Sequence, residues 1–180
     1  GVTLFLSSAP KVAVMVLLIR LLEGPLWALH SHWLVVLEVA AIMSIILGNL
    51  SAIAQTNLKR MLAYSSIAHT GYALLALCAA GAGNLHGFSW AYFYMICYAI
   101  MSLGGFGCLV VLSRSGEEVY DIKDLSGLSR RQPMLALMIL LLMFSMAGIP
   151  PFVGFIAKVT VLKALITAHL VSLALIAIIF

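Results

Sequence analysis

The strongest constraint on this chain is its last long apolar run, residues 133–168, which stops midway at Gly148, Ile149, Pro150 and Pro151. At about 36 residues it is too long for one straight membrane span, which takes about 20. Pro150 and Pro151 have no N–H to offer the carbonyls of Met146 and Ala147, so a helix must open there. Broken backbone at membrane depth is tolerated only where protein or a water-filled cavity covers it. The run therefore reads as two half-helices. Lys158 sits about seven residues past the break, roughly 10 Å along at 1.5 Å per residue. A lysine buried there marks an ion or proton path. The plainer alternative is a proline kink whose lysine snorkels to the surface.

The rest of the chain fits a bilayer as solvent. Of 180 residues 64% are hydrophobic and 9% charged, against about 25% charged in soluble domains. Mean hydropathy is +1.16. The apolar runs are continuous and do not alternate, so the expected class is an all-α polytopic helical bundle of about six transmembrane segments, one discontinuous. The chain begins at Gly1 without an initiator Met and ends at Phe180 inside a short apolar run. It reads as a fragment, with no visible signal peptide.

Segment one covers residues 3–22. Ser7, Ser8 and Lys11 share one helix face there. Lys11 lies roughly 16 Å from the segment's end, near the midplane of a 30 Å core; the alternative is a lysine near a chain end. A loop with Glu23, Pro25, Trp27, His30, His32 and Trp33 follows, suited to the interface. Two histidines alone do not make a metal site. Segment two spans 34–54, with Glu38 one turn inside, either interfacial or in an ion pair. The loop 55–60 carries Lys59 and Arg60. Segment three, 61–82, places Ser65, His69 and Tyr72 on one face. His69 is either a buried histidine bonded to a serine of a neighbouring helix or a proton relay. Segment four, 88–112, aligns Tyr94, Tyr98 and Ser102 and has Gly104, Gly105 and Gly107 for close packing. The loop 114–132 is the one strongly polar stretch and can hold a short surface helix. The last segment starts near His169.

Lys59, Arg60, Arg114, Lys123, Arg130 and Arg131 fall in loops of one side, and Arg20 alone on the other. Positive charge marks the cytoplasmic side, which puts loops 55–60 and 114–132 there. Lys163 lies near the outer end and can snorkel. The net charge of +4 reports topology, because no basic stripe with interleaved aromatics points to nucleic acid. Cys78, Cys97 and Cys108 are too widely spaced for a metal or redox motif. No glycine-rich dinucleotide motif is present, so no bound cofactor, catalytic redox centre or metal is expected. Desolvation disfavours the charged form of a buried lysine, which lets such a group release and regain a proton as neighbouring charges change.

Three stretches, SSAPKVAVMVLLIRLL, GNLSAIAQTNLKRMLAYSSIAHTGYALLAL and LLMFSMAGIPPFVGFIAKVTVL, resemble the antiporter-like membrane subunits of NADH–quinone oxidoreductase, respiratory complex I. Within that family the likeness is to its subunit N branch, although K-R-x-L-A-Y-S-S is shared by the relatives. The resemblance covers nearly the whole chain. It implies a fold of about fourteen helices built from inverted repeats. Residues 1–22 would be the last helix of the first repeat, and 34–180 the second repeat, truncated at its last helix. Lys11 matches the central lysine and Lys158 the lysine of the broken helix on the output side; His69, Ser7, Ser8 and Tyr72 are possible relay groups, and Gly148, Pro150 and Pro151 form the helix break. The implied function is proton translocation coupled to quinone reduction, with Lys11 passing a proton toward Lys158 for release outside. NADH, FMN, iron–sulfur clusters and quinone would be held by other subunits. Implied partners are other membrane subunits, antiporter-like ones among them, the lipid bilayer and protons; the implied location is the bacterial inner membrane. The alternatives are a cation/proton antiporter or hydrogenase-type membrane subunit, and a structural scaffold whose lysines are paired and silent.

Overall fold

The computed structural model describes residues 2–114 and 121–180; the side chains of 2–7, 113 and 114 lie outside that description. The chain folds into α1 (Val2–Glu23), α2 (His30–Ile53), α3 (Leu58–Gly81), α4 (His86–Arg114), α5 (Leu128–Arg131), α6 (Pro133–Ala147), α7 (Val153–Thr167) and α8 (Val171–Ile179), with no strand of regular length among the described residues. The stretches Trp27–Ile53, Leu58–Gly81 and His86–Leu112 are each long and apolar enough to cross a membrane. The half-length α6 and α7 together make the discontinuous one.

α3 is the central post, because its second half offers small residues on every side. Ala73, Ala76, Ala79 and Ala80 are fully buried, which lets α2, α4 and α7 all approach it. The α2 crossing depends on bare backbone. A Cβ on Gly71 would lie 2.9 Å from Ala41 O, and one on Gly48 would lie 2.6 Å from Ala68 N. α1 packs chiefly against α4.

The starts of α2 and α3 differ from the sequence reading. α2 begins at His30, so His30, His32 and Trp33 are helical. No Gly or Pro follows Pro25 to stop the helix. Trp33 Nε1 donates to Leu26 O at 3.0 Å, and the Trp27 and His30 rings stack 5.6 Å apart, tying the turn to the helix. Glu38 is consequently more than two turns inside α2, roughly 12 Å along it. Lys59 and Arg60 belong to the first turn of α3, because Asn57 caps that helix and accepts from Arg60 N at 3.1 Å.

Asn57 also forms an isolated antiparallel bridge with Asp121, and Ile122 N donates to Thr56 O at 3.0 Å. This brings the stretch before α5 to the foot of α3. The opposite end is tied by Asn84 Nδ2, which donates to Thr167 Oγ1 at 2.7 Å and to Ala164 O at 3.2 Å.

Candidate functional site

The helix break makes a site from the peptide groups that proline leaves unpaired. Gly148 closes α6 in the left-handed region, at φ 82°. Its N–H and that of Ile149 return to Phe144 O, each at 3.1 Å. Pro151, four residues beyond Ala147, has no N–H to complete the helical pattern. The vacant partner is replaced by a side chain: Lys158 Nζ donates to Ala147 O at 3.1 Å. α7 comes close enough for this because Gly154 lies against the backbone of Ser145. Lys158 Nζ also stands 5.0 Å from the centroid of the Tyr72 ring, within cation–π range.

Lys11 is met from another direction. Pro10 and Lys11 lie mid-helix in α1, and Lys11 Nζ donates to Ser66 Oγ, which in turn donates to Ala63 O at 2.7 Å. Nζ lies 5.7 Å from the centroid of Tyr98. Lys11 is thus held by a hydroxyl of α3. Ser8 is buried one turn earlier, and the side chain of Ser7 lies outside the described residues.

His69 stands between the two lysines and is 3% exposed. Its Nδ1 is 2.8 Å from Tyr94 Oη. Its ring faces that of Tyr98, the residue beneath Lys11, at 5.0 Å. Tyr94 in turn stacks on Tyr72, the residue beneath Lys158, at 5.9 Å. The expected serine partner of His69 is therefore a tyrosine of α4. Tyr72 donates its hydroxyl to Ala177 O at 2.6 Å. Tyr94 and Tyr98 are site residues that the sequence reading took for packing. The available signal was a row of hydroxyls at i, i+4 and i+8 in an otherwise apolar helix, each of which needs a polar partner in a membrane.

A cavity of about 360 Å³ opens beside this cluster, lined among others by Ser65, His69, Tyr72 and Lys158. It extends past Met61 and Leu62 toward the foot of α3, the end that carries Lys59 and Arg60, and Phe180 is on its wall. Beyond Lys158 the seam between α7 and α3 is closed by apolar side chains. Val161 and Leu165 of α7 and Leu77 of α3 are fully buried there. Lys163 is exposed, as expected of a snorkelling residue. Neither Lys11 nor Lys158 meets a carboxylate among the described residues.

The family model described as NADH:quinone oxidoreductase/Mrp antiporter, TM, matches residues 1–180. The chain belongs to this family. It is 54% identical over 181 residues to NADH-quinone oxidoreductase subunit N of Coxiella burnetii and 47% identical over 180 residues to that of Thioalkalivibrio sulfidiphilus. Each alignment takes in 100% of this chain and 37% of the relative, so the chain spans little more than a third of the length of these proteins. Among solved structures it is similar to the Mrp complex from Dietzia sp. DQ12-45-1b, with a TM-score of 0.74 and 27% identity over 83% of this chain and 27% of that one. Family membership and the long apolar helices make this a multi-pass membrane protein.

Proposed function

We propose that this chain carries one half of a proton path in the membrane subunit of an NADH–quinone oxidoreductase, with Lys11 and Lys158 as its proton-carrying groups. The observation that carries the reading is the convergence of both lysines on His69. Each approaches through the ring of a tyrosine that touches His69 or its hydrogen-bond partner, and neither meets a carboxylate among the described residues. A paired, silent scaffold would seat each lysine against a carboxylate or backbone carbonyls with no water path; Lys158 does meet Ala147 O, but it also lines the cavity, and Lys11 meets the Ser66 hydroxyl. Two unneutralised lysines on one polar cluster form a chain whose members respond to each other's charge. Ser8 and Tyr72, and Ser7 if its side chain faces the same way, would complete the relay. Residues 1–22 would be the last helix of a first repeat and 34–180 the second. Electrons would stay on other subunits with NADH, FMN, iron–sulfur clusters and quinone, and neighbouring antiporter-like subunits would flank this one.

Loops 55–60 and 114–132 would face the cytoplasm, across a bacterial inner membrane. The contact of Thr56 with Ile122 supports one common side for them, and the basic residues give its sign. The cavity next to Lys158 then lies on the cytoplasmic half. Release to the outside requires the α7–α3 seam at Val161 and Leu165 to open. The test is Lys11→Ala in the full-length subunit of the assembled complex, read by the rate of proton uptake into vesicles with NADH oxidation recorded beside it. The proposal expects uptake to fall at least tenfold; uptake at the wild-type level refutes it. The likeness to the Mrp complex favours a second reading, cation/proton exchange. That reading requires transport to depend on sodium, whereas the first does not.

A further inference from the structure

The mechanism above leaves the role of Tyr94 open. Tyr94 is 2% exposed, and its hydroxyl makes one hydrogen bond among the described residues, to His69 Nδ1. A buried hydroxyl carries one proton that needs an acceptor. If Nδ1–H donated to Tyr94, the buried phenol proton would have no acceptor; when Tyr94 donates to Nδ1, the hydrogen left on Nε2 belongs to a ring that lines the cavity, and Nε2 is not among the fully buried atoms without a partner. Nδ1 then holds no proton of its own, and the neutral ring carries its hydrogen on Nε2. His69 makes no other hydrogen bond among the described residues.

We infer that Tyr94 is a proton lock on His69: while its hydroxyl donates to Nδ1, neither ring nitrogen can accept a proton, and the ring becomes an acceptor only when that hydroxyl turns away. The inference rests on the proposed proton path. Its consequence is that Lys11 and Lys158 are insulated from one another at rest, although both lie on the same aromatic cluster. The locked ring adds no third positive charge between them. Turning the hydroxyl frees Nδ1 to take up a proton while Nε2 gives one up, so that a proton crosses the ring between the two lysines. One proton is gained and one lost, and the ring ends neutral. Tyr94 itself transfers none; it is a positioning residue. Tyr98 provides the contrast, because the polar neighbours of its hydroxyl are Ser66 and Ser102 and it makes no hydrogen bond to His69 among the described residues, so it locks nothing.

The test uses vesicles containing the complete, assembled complex with electron transfer blocked, and follows the decay of an imposed pH gradient. Tyr94→Phe keeps the ring and removes the donor. The expected result is a proton leak several-fold faster than wild type, up to about tenfold, the population change that one net hydrogen bond controls. The leak is expected to return to the wild-type rate in the Tyr94→Phe, His69→Gln double variant, and to be absent in Tyr98→Phe. A wild-type leak in assembled Tyr94→Phe overturns the lock. An increase that persists without His69, or one that Tyr98→Phe reproduces, also overturns it, because the effect is then one of packing. Lys11→Ala separates the two levels. If it abolishes uptake while Tyr94→Phe does not leak, the path stands and the lock falls; if it is silent, the path itself falls.

Discussion

Gly154→Ala tests whether the break is held by backbone contact between α6 and α7. A Cβ at this position would lie 1.7 Å from Ser145 O and 2.7 Å from Ser145 C. Both are backbone atoms, so no side chain can swing aside. The half-helices must part by roughly 1.3 Å before the contact reaches even a tight 3.0 Å. Such overpacking costs about 1–3 kcal/mol. The displacement falls on the turn that carries Lys158, one helical turn further along the same face. Lys158 would be drawn from Ala147 O, now 3.1 Å away, to beyond hydrogen-bond range. The assay is thermal unfolding of the purified complex together with the rate of proton uptake into vesicles. The expected outcome is an assembled complex of lower stability whose uptake falls at least tenfold. If Gly154→Ala leaves both stability and uptake unchanged, the contact does not hold the break and the reasoning fails.

Gly148→Ala should act on the same lysine from the other side. Its φ of 82° costs a non-glycine residue about 1–2 kcal/mol. Its Cβ would also press on Lys158 Cδ at 2.9 Å, so proton uptake should drop further than the loss of thermal stability accounts for. Asn84→Ala removes the donor to Ala164 O and Thr167 Oγ1; the expected loss is about 1 kcal/mol in thermal unfolding, with uptake per NADH retained. Lys163→Ala, at an exposed position on the same helix as Lys158, should leave uptake within twofold of wild type, and a large loss there would mean that the wrong lysine of α7 has been assigned.

Chain chemistry alone made the centre of the site legible. Two prolines without N–H groups imply an orphaned carbonyl at Ala147, and that carbonyl is the one Lys158 bonds. Helical spacing likewise put Ser65, His69 and Tyr72 on one face, and all three line the cavity. Periodicity failed where the answer depended on which face meets which. It aligned Tyr94, Tyr98 and Ser102, but only the packing of α4 against α3 shows that Tyr94 reaches Nδ1 of His69. For the same reason helical spacing puts Ser7 and Ser8 on the face of Lys11 but cannot show Ser66 of α3, whose hydroxyl accepts from Lys11. The start of α2 was misread because tryptophan and histidine were taken as loop residues of the interface, whereas neither stops a helix.

The most direct test is Lys158→Ala in the full-length subunit of the assembled complex, with NADH–quinone electron transfer and proton uptake into vesicles recorded side by side. A proton path through Lys158 predicts that the complex assembles and both activities collapse. Wild-type electron transfer and wild-type uptake would contradict it, leaving Lys158 a structural tie to Ala147 O.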